Sequence, residues 1–320
     1  MIHGQGVDDL KTYPAICAAL CAFAMLIIFP DTAKDAVTGG LETCGGIIIP
    51  SLFPYFVAVN LIIELGVIGR LFRALHIKNL KYASFIIGIT GGYPVGAAYI
   101  AETRKRGELS CDDASKMLVY CNNSGPAFII GAVGSGVFHS TSAGLVLYAA
   151  HMLSAAVYGK LFCHIENSEA HFPDASEKTD FAPAFTASVR KSVSSIINVC
   201  GFVLAFSVII SLINSGGLIY ILSGKMSELI NTELHFNASL ISGLFEIGNS
   251  IKEMQFLAVS PLNLALAAFV LGWGGISVHF QTFSIISDTD IKTARYVIGR
   301  LVIAIFAAIT VFLTAAIFRI

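Results

Sequence analysis

Residues 82–101 read YASFIIGITGGYPVGAAYIA, twenty positions without an Asp, Glu, Lys or Arg, yet with Gly88, Gly91, Gly92, Pro94 and Gly96 among them. Such a run is long enough to reach across a bilayer, which takes roughly 20 apolar residues. A continuous helix over 83–103 would be weak, because an interior Gly costs about 1 kcal/mol and an interior Pro about 3 kcal/mol. Broken backbone at membrane depth survives only where protein or a water-filled cavity satisfies its polar groups. The flanks decide the geometry. Arg70, Arg73, Lys78 and Lys81 precede the run, and Arg104, Lys105, Arg106 and Lys116 follow it. Basic loops favour the cytoplasmic side, so both flanks belong on one side, and the segment is expected to be a re-entrant hairpin tipped by Thr90-Gly91-Gly92-Tyr93-Pro94.

The rest of the chain fits that frame. Of 320 residues, 55% are apolar and 13% charged, where soluble domains carry about 25% charged residues, and the mean hydropathy is +0.76. Further charge-free runs cover 43–63, 117–159, 192–224 and 254–287. The sequence therefore predicts an all-α polytopic membrane protein. A soluble enzyme and a disulfide-rich secreted domain are excluded, and a net charge of -1 offers no basic footprint for nucleic acid. The seven cysteines are odd in number, scattered and without a CxxC pair, which argues against disulfides and metal; no cofactor is implied.

Nine apolar segments stand out: 13–30, 44–66, 83–103, 117–138, 143–164, 192–213, 238–254, 262–286 and 296–318. If 83–103 and 238–254 are hairpins and the N-terminus is cytoplasmic, sixteen of the 20 Lys and Arg residues fall on the cytoplasmic side, Arg300 among them. Only Lys34, Lys225, Lys252 and Arg319 fall outside. If both segments cross, the bias disappears. The charges thus select about seven spans plus two hairpins, the second broken at Glu246-Ile247-Gly248-Asn249-Ser250. The run from Tyr13 to Phe29 lacks a small-x-small cleavage site and is expected to be retained as a first span.

The halves also resemble one another. Ala36–Ile63 lies over Ala184–Ser211, hairpin follows hairpin, and Asn122-Asn123-Ser124-Gly125-Pro126 corresponds to Gly272-Trp273-Gly274-Gly275-Ile276-Ser277. Under the charge-based topology the copies enter from opposite sides, the inverted-repeat plan of many secondary transporters, whose sites lie where helices are discontinuous. The expected organisation is an N-terminal transmembrane helix at 1–33, repeat 1 at 34–164, a polar cytoplasmic linker at 165–183 and an inverted repeat 2 at 184–320.

Candidate site residues follow from the breaks. Pro126 interrupts the helical ladder, so Asn122, Asn123 and Ser124 are expected to converge on a polar cavity, unless they serve as helix–helix glue. Glu246 is an acid inside the second hairpin, with Asn249 one turn away; intramembrane ionisable groups tend to be functional, and this one could bind H+ or Na+, hydrogen-bond substrate, or sit at an interface. Ser277, His279 and Gln281 follow the second Gly break, where a histidine could carry a proton or simply pack. Thr90, Gly91, Gly92 and Tyr93 complete the set. Glu64 and Glu102 read as interfacial, and His139 and His151 receive no role. No P-loop, HExxH, GxSxG or paired-carboxylate pattern supports catalysis.

The stretch from Gly91 to Ala97, then Gly107-Glu108-Leu109-Ser110, then Asn122 to Gly131 resembles the sporulation integral membrane protein YlbJ family, also called SpoVV, whose members carry the nucleoside recognition or Gate domain. Gly243-Leu244-Phe245-Glu246-Ile247 and the run from Gly274 to Gln281 fit the same family, so the likeness spans roughly 40–315. The resemblance implies an endospore-forming bacterium, a place in its cell membrane or outer forespore membrane, and the movement of dipicolinic acid toward the forespore. It also implies a fold similar to concentrative nucleoside transporters. The second hairpin reads FEIGNS, so those transporters' cation-site residues do not carry over. The GTPase portion of ferrous-iron transporters is absent from these residues.

Three functions remain open: a dipicolinate or similar organic-anion carrier, a nucleoside or other small-metabolite transporter with Tyr93 and Phe128 as stacking partners, and a non-transporting sporulation scaffold. For a carrier the expectation is rocking of one repeat against the other around a midplane site, alone or as a homo-oligomer. Helix N-termini and amides could receive carboxylates because exposed N–H groups carry partial positive charge, whereas the absence of any Lys or Arg expected at membrane depth counts against an anion and fits a neutral nucleoside equally well.

Overall fold

The computed structural model describes residues 5–75, 79–165 and 180–318. The described chain is all-helical, apart from one isolated bridge position at Asn79. Helix α1 runs Gln5–Ile28, and α2 (Pro30–Thr43) passes through a π turn at Cys44–Ile48 into α3 (Ile49–Glu64). A short α4 (Val67–Ala74) leads to the helix pair α5 (Leu80–Gly91) and α6 (Val95–Lys105), then α7 (Cys111–Cys121), a π-helical stretch Ala127–Val137 and α8 (Thr141–Phe162). The second half opens with α9 (Phe181–Ile213) and a 3-10 turn, then α10 (Leu218–Ile230) and the helix pair α11 (Leu234–Phe245) and α12 (Ile247–Met254). It closes with α13 (Pro261–Trp273), α14 (Gly275–Ile286) and α15 (Thr293–Phe318).

Among the described residues, five helical stretches are long and apolar enough to cross a membrane: Pro30–Glu64, Thr141–Phe162, Phe181–Gly216, Pro261–Ile286 and Thr293–Phe318. The expected spans 44–66 and 192–213 are the inner parts of longer helices that begin at Pro30 and Phe181. Segment 117–138 is not one helix, because Asn122 to Pro126 separates α7 from the π-helical stretch. The linker expected at 165–183 lies largely outside the described residues, and its last three positions already belong to α9.

Local chemistry sets the helix ends. The side chains of Asn79, Ser110, Ser140 and Ser260 accept from the backbone N–H groups of Lys81, Asp113, Ala143 and Asn263, the usual work of an N-cap. Asp112 and Asp113 occupy the first turn of α7, where the helix dipole favours negative charge. Gly274 and Gly275, at φ 88° and 73°, end α13 and start α14.

Packing divides the molecule across the sequence halves. Helices α2 and α3 lie along α9, where Asn60 Nδ2 donates to Ser192 Oγ at 3.0 Å and Lys191 pairs with Glu64. The last helix, α15, packs against α7 and α8 of the first half as well as α13 of the second. The apolar core around α13 joins Ile129, Leu147, Leu264, Leu271 and Val311.

Candidate functional site

Both breaks and both helix-pair turns meet at one place. The turn between α5 and α6 presses on the first break so closely that a Cβ on Gly92 (φ 71°) would lie 2.8 Å from Gly125 Cα. The turn between α11 and α12 meets the second break in the same way: a Cβ on Gly275 would lie 3.0 Å from the Phe245 carbonyl oxygen. Between them opens a partly enclosed cavity, about 690 Å³ of empty space when its open mouth is included, lined by Thr90 to Tyr93, by Ser124 to Phe128, by Glu246 to Gly248, and by Val278 and Gln281. Its outer wall comes from Ile48, Leu52, Tyr55 and Phe56, with Val199 and Val203 of α9. A largely apolar pocket with a few convergent polar groups is the usual form of a small-molecule site.

The candidates from sequence fall into two groups. Thr90, Gly91, Gly92, Tyr93, Ser124, Glu246 and Gln281 line the cavity. Asn122 and Asn123, by contrast, are wholly buried and committed to protein. Asn122 Oδ1 accepts from the Ala97 N–H at 3.2 Å, and its Nδ2 donates to Thr282 Oγ1 at 2.9 Å and to the Tyr296 hydroxyl at 3.0 Å. Asn123 donates to the Tyr120 carbonyl at 2.6 Å. Their amides hold α6, α7, α14 and α15 together instead of lining the cavity.

Glu246 is an N-cap as well as a cavity group. Its carboxylate accepts from the Asn249 N–H at 2.8 Å and from Asn249 Nδ2 at 3.2 Å, and Lys252 supplies nearby positive charge. Asn249 also donates to Ser207 Oγ of α9 at 3.3 Å, and Lys252 to the Gly39 carbonyl at 3.1 Å. Ser277 receives a bond from Gln281 at 3.4 Å. His279 is buried against Trp273 and Tyr296, with ring centroids 4.3 and 5.2 Å away, and neither ring nitrogen has a hydrogen-bond partner.

Two residues were missed from sequence. His151 is buried on α8, and its Nε2 accepts from the Ser124 N–H at 3.3 Å, which leaves the ring proton of the neutral form on Nδ1. Arg300 is the larger correction. The sequence places it with the cytoplasmic charges and no cation at depth, but it is 0% exposed on α15. Its Nη1 donates to the Asn122 carbonyl at 3.1 Å and Asn123 Oδ1 at 3.0 Å, and its Nη2 to the Tyr93 hydroxyl at 2.5 Å. The signal was present: Tyr296, Arg300, Ile303, Ala307 and Val311 recur at helical spacing along one buried stripe.

Among the described residues no group of three or more His, Cys, Asp or Glu side chains could hold a metal ion. No family model matches the chain, and no solved structure matches it. The chain is 28% identical to sporulation integral membrane protein YlbJ of Bacillus subtilis (strain 168) over an aligned length of 326 residues, covering 91% of this chain and 79% of that protein. An integral membrane protein by its apolar helices, the chain is a homologue of that sporulation protein.

Proposed function

We propose that the protein is a membrane transporter that moves a small metabolite by alternating access during spore maturation, and that dipicolinic acid is its substrate. The observation that carries this reading is the cavity itself, bounded by two helix-pair turns and two interrupted helices in a molecule of otherwise long apolar helices. Interrupted helices at a membrane midplane are how transporters build sites. The two halves are inverted repeats on this reading. Support comes from element order, since each half runs long helix, short helix, helix pair, broken helix, closing helix. The helix pairs α5–α6 and α11–α12 are the re-entrant hairpins.

On this reading the moving units are two bodies that each draw on both halves, a division supported by the packing of α15 into the first half. The α2–α3 helix and α9 form one body. The hairpins, broken helices, α8 and α15 form the second. The cavity lies between the bodies, and the polar bonds across their boundary include Asn249 to Ser207 and Lys252 to Gly39. A buried guanidinium behind the cavity wall favours an anionic substrate over a neutral one.

A second reading, a nucleoside transporter, draws on Tyr93 and Phe128, which line the same cavity and offer ring faces to a base. Flux of labelled dipicolinate into proteoliposomes, with unlabelled uridine as competitor, separates the two. Saturable uptake that uridine leaves untouched is the expected result. Uptake abolished by uridine moves the assignment to nucleosides. Folded protein that moves neither ligand under any imposed gradient sinks both and leaves a scaffold.

A further inference from the structure

We infer that Arg300 and Tyr93 act together as the charge-reading pair of the cavity: the guanidinium holds the Tyr93 hydroxyl as a donor aimed at an anionic oxygen of the bound ligand. This assignment rests on the transporter reading above and names the residues that select charge within it.

The argument begins with what Arg300 lacks. It is 0% exposed, and none of the ion pairs among the described residues includes it. Its hydrogen-bond acceptors are the carbonyls of Val119 and Asn122, the amide oxygen of Asn123 and the Tyr93 hydroxyl, all neutral, and its Nε has no partner. Burying an ion is costly unless its charge is met, and neutral oxygens solvate a cation without neutralising it. Glu246, the carboxylate on the cavity wall, is turned to Asn249, with Lys252 as the cation acting on it. The missing negative charge is therefore expected from the cavity.

Donor chemistry gives Tyr93 its role. A guanidinium has five N–H donors and no acceptor, so in the bond from Arg300 Nη2 the phenol oxygen must accept. The phenol hydrogen is then left to a partner other than Arg300, for which the Ser124 hydroxyl beside it and a ligand oxygen in the cavity compete, and a donor already polarised by a cation binds more strongly. Tyr93 lines the cavity, whereas the Thr90 hydroxyl is spent on the Ile86 carbonyl at 2.7 Å. Space around the phenol oxygen is kept by Gly274, where a Cβ would come within 3.3 Å of it.

The test is equilibrium binding of dipicolinate, and of its uncharged analogue pyridine-2,6-dicarboxamide, to the purified full-length protein and to Tyr93→Phe, Arg300→Lys and Arg300→Gln. Hydrogen bonds to charged groups are worth enough that Tyr93→Phe is expected to weaken dipicolinate binding about 10- to 100-fold. Binding of the dicarboxamide should change less, by about 2- to 10-fold, since neutral bonds are weaker. Arg300→Lys keeps the charge and should retain part of the preference; Arg300→Gln should abolish it. Tyr93→Phe carries the decision if Arg300→Gln fails to fold. Equal losses for both ligands, or none for dipicolinate, overturn the charge-reading pair and leave transport intact. A wild-type protein that binds neither ligand removes the dipicolinate reading, and this assignment with it.

Discussion

Asn122 Oδ1 accepts from the Ala97 N–H, so the side chain that ends α7 also holds the first turn of α6 in place. The same amide donates to Thr282 and Tyr296, and one residue thereby ties three other helices to the first break. Residues at a break in a membrane helix invite assignment to the ligand; here the geometry assigns them to the frame around it.

Replacing Asn122 by Ala therefore acts on stability before it acts on transport. The change strands the buried Ala97 N–H and takes a donor from the Thr282 and Tyr296 hydroxyls, which keep their bonds to the Val278 carbonyl and to each other, and an unsatisfied buried group costs about 1–3 kcal/mol. A loss of about 2–4 kcal/mol is expected, read as a lower Tm of the detergent-purified protein and a lower yield. A variant with wild-type Tm but no binding would return Asn122 to the ligand.

Gly92→Ala should be worse tolerated. The position needs a left-handed backbone, and the added carbon would lie 2.8 Å from both N and Cα of Gly125, where backbone cannot move away cheaply. Little folded protein is expected by size-exclusion chromatography. Gly45→Ala, with nothing within 4 Å, is the control and should elute as wild type.

At the polar end of the helices, Arg104 binds Asp290 in a two-bond fork at 2.8 and 2.9 Å, Lys105 pairs with Asp288, and Arg295 with Asp112. Lys116 and then Arg295 hold the Asp112 carboxyl below the usual range, Lys105 does so for Asp288, and Arg104 for Asp290. Because these values are lowered on folding from about 3.9, the contribution is present above pH 4 and lost as pH falls through the folded values. Tm should be level from pH 7 to about 5 and fall below 4. Asp290→Asn should blunt that fall, and so should high salt, since the pairs are exposed and readily screened.

Glu246→Gln keeps an oxygen for the Asn249 N–H and removes the charge, whereas Glu246→Ala removes the cap. A lost cap costs about 1 kcal/mol, so Tm should drop for Ala and stay within a degree or two for Gln. If uptake depends on a cation bound at this carboxylate, Gln should abolish that dependence with the Tm unchanged; a Tm loss equal to that of Ala would refute the capping role.

Much of this was written in the composition. Gly-Gly-Tyr-Pro between two basic loops announced the first turn, and Gly274-Gly275 the second break, because both residue types act on the backbone locally. Arg300 is harder to read for the opposite reason. It stands shortly after Asp288, Asp290, Lys292 and Arg295 and looks like one more loop charge, although it lies two turns inside α15 on the stripe that is buried. Packing against α7 and the α5–α6 turn buries it. For Asn122 the sequence leaves both a cavity role and helix–helix glue open, because it shows that an amide sits at a break and not which way it faces.

The place of α15 also bears on how the protein is made. As the first half leaves the ribosome, the Asn122 amide has neither Thr282 nor Tyr296 to receive its hydrogens, and the carbonyls of Val119 and Asn122 await Arg300. Those partners lie on α14 and α15, 160 to 181 residues further along the chain. The early helices must therefore wait with these polar groups open until α14 and α15 follow and close them.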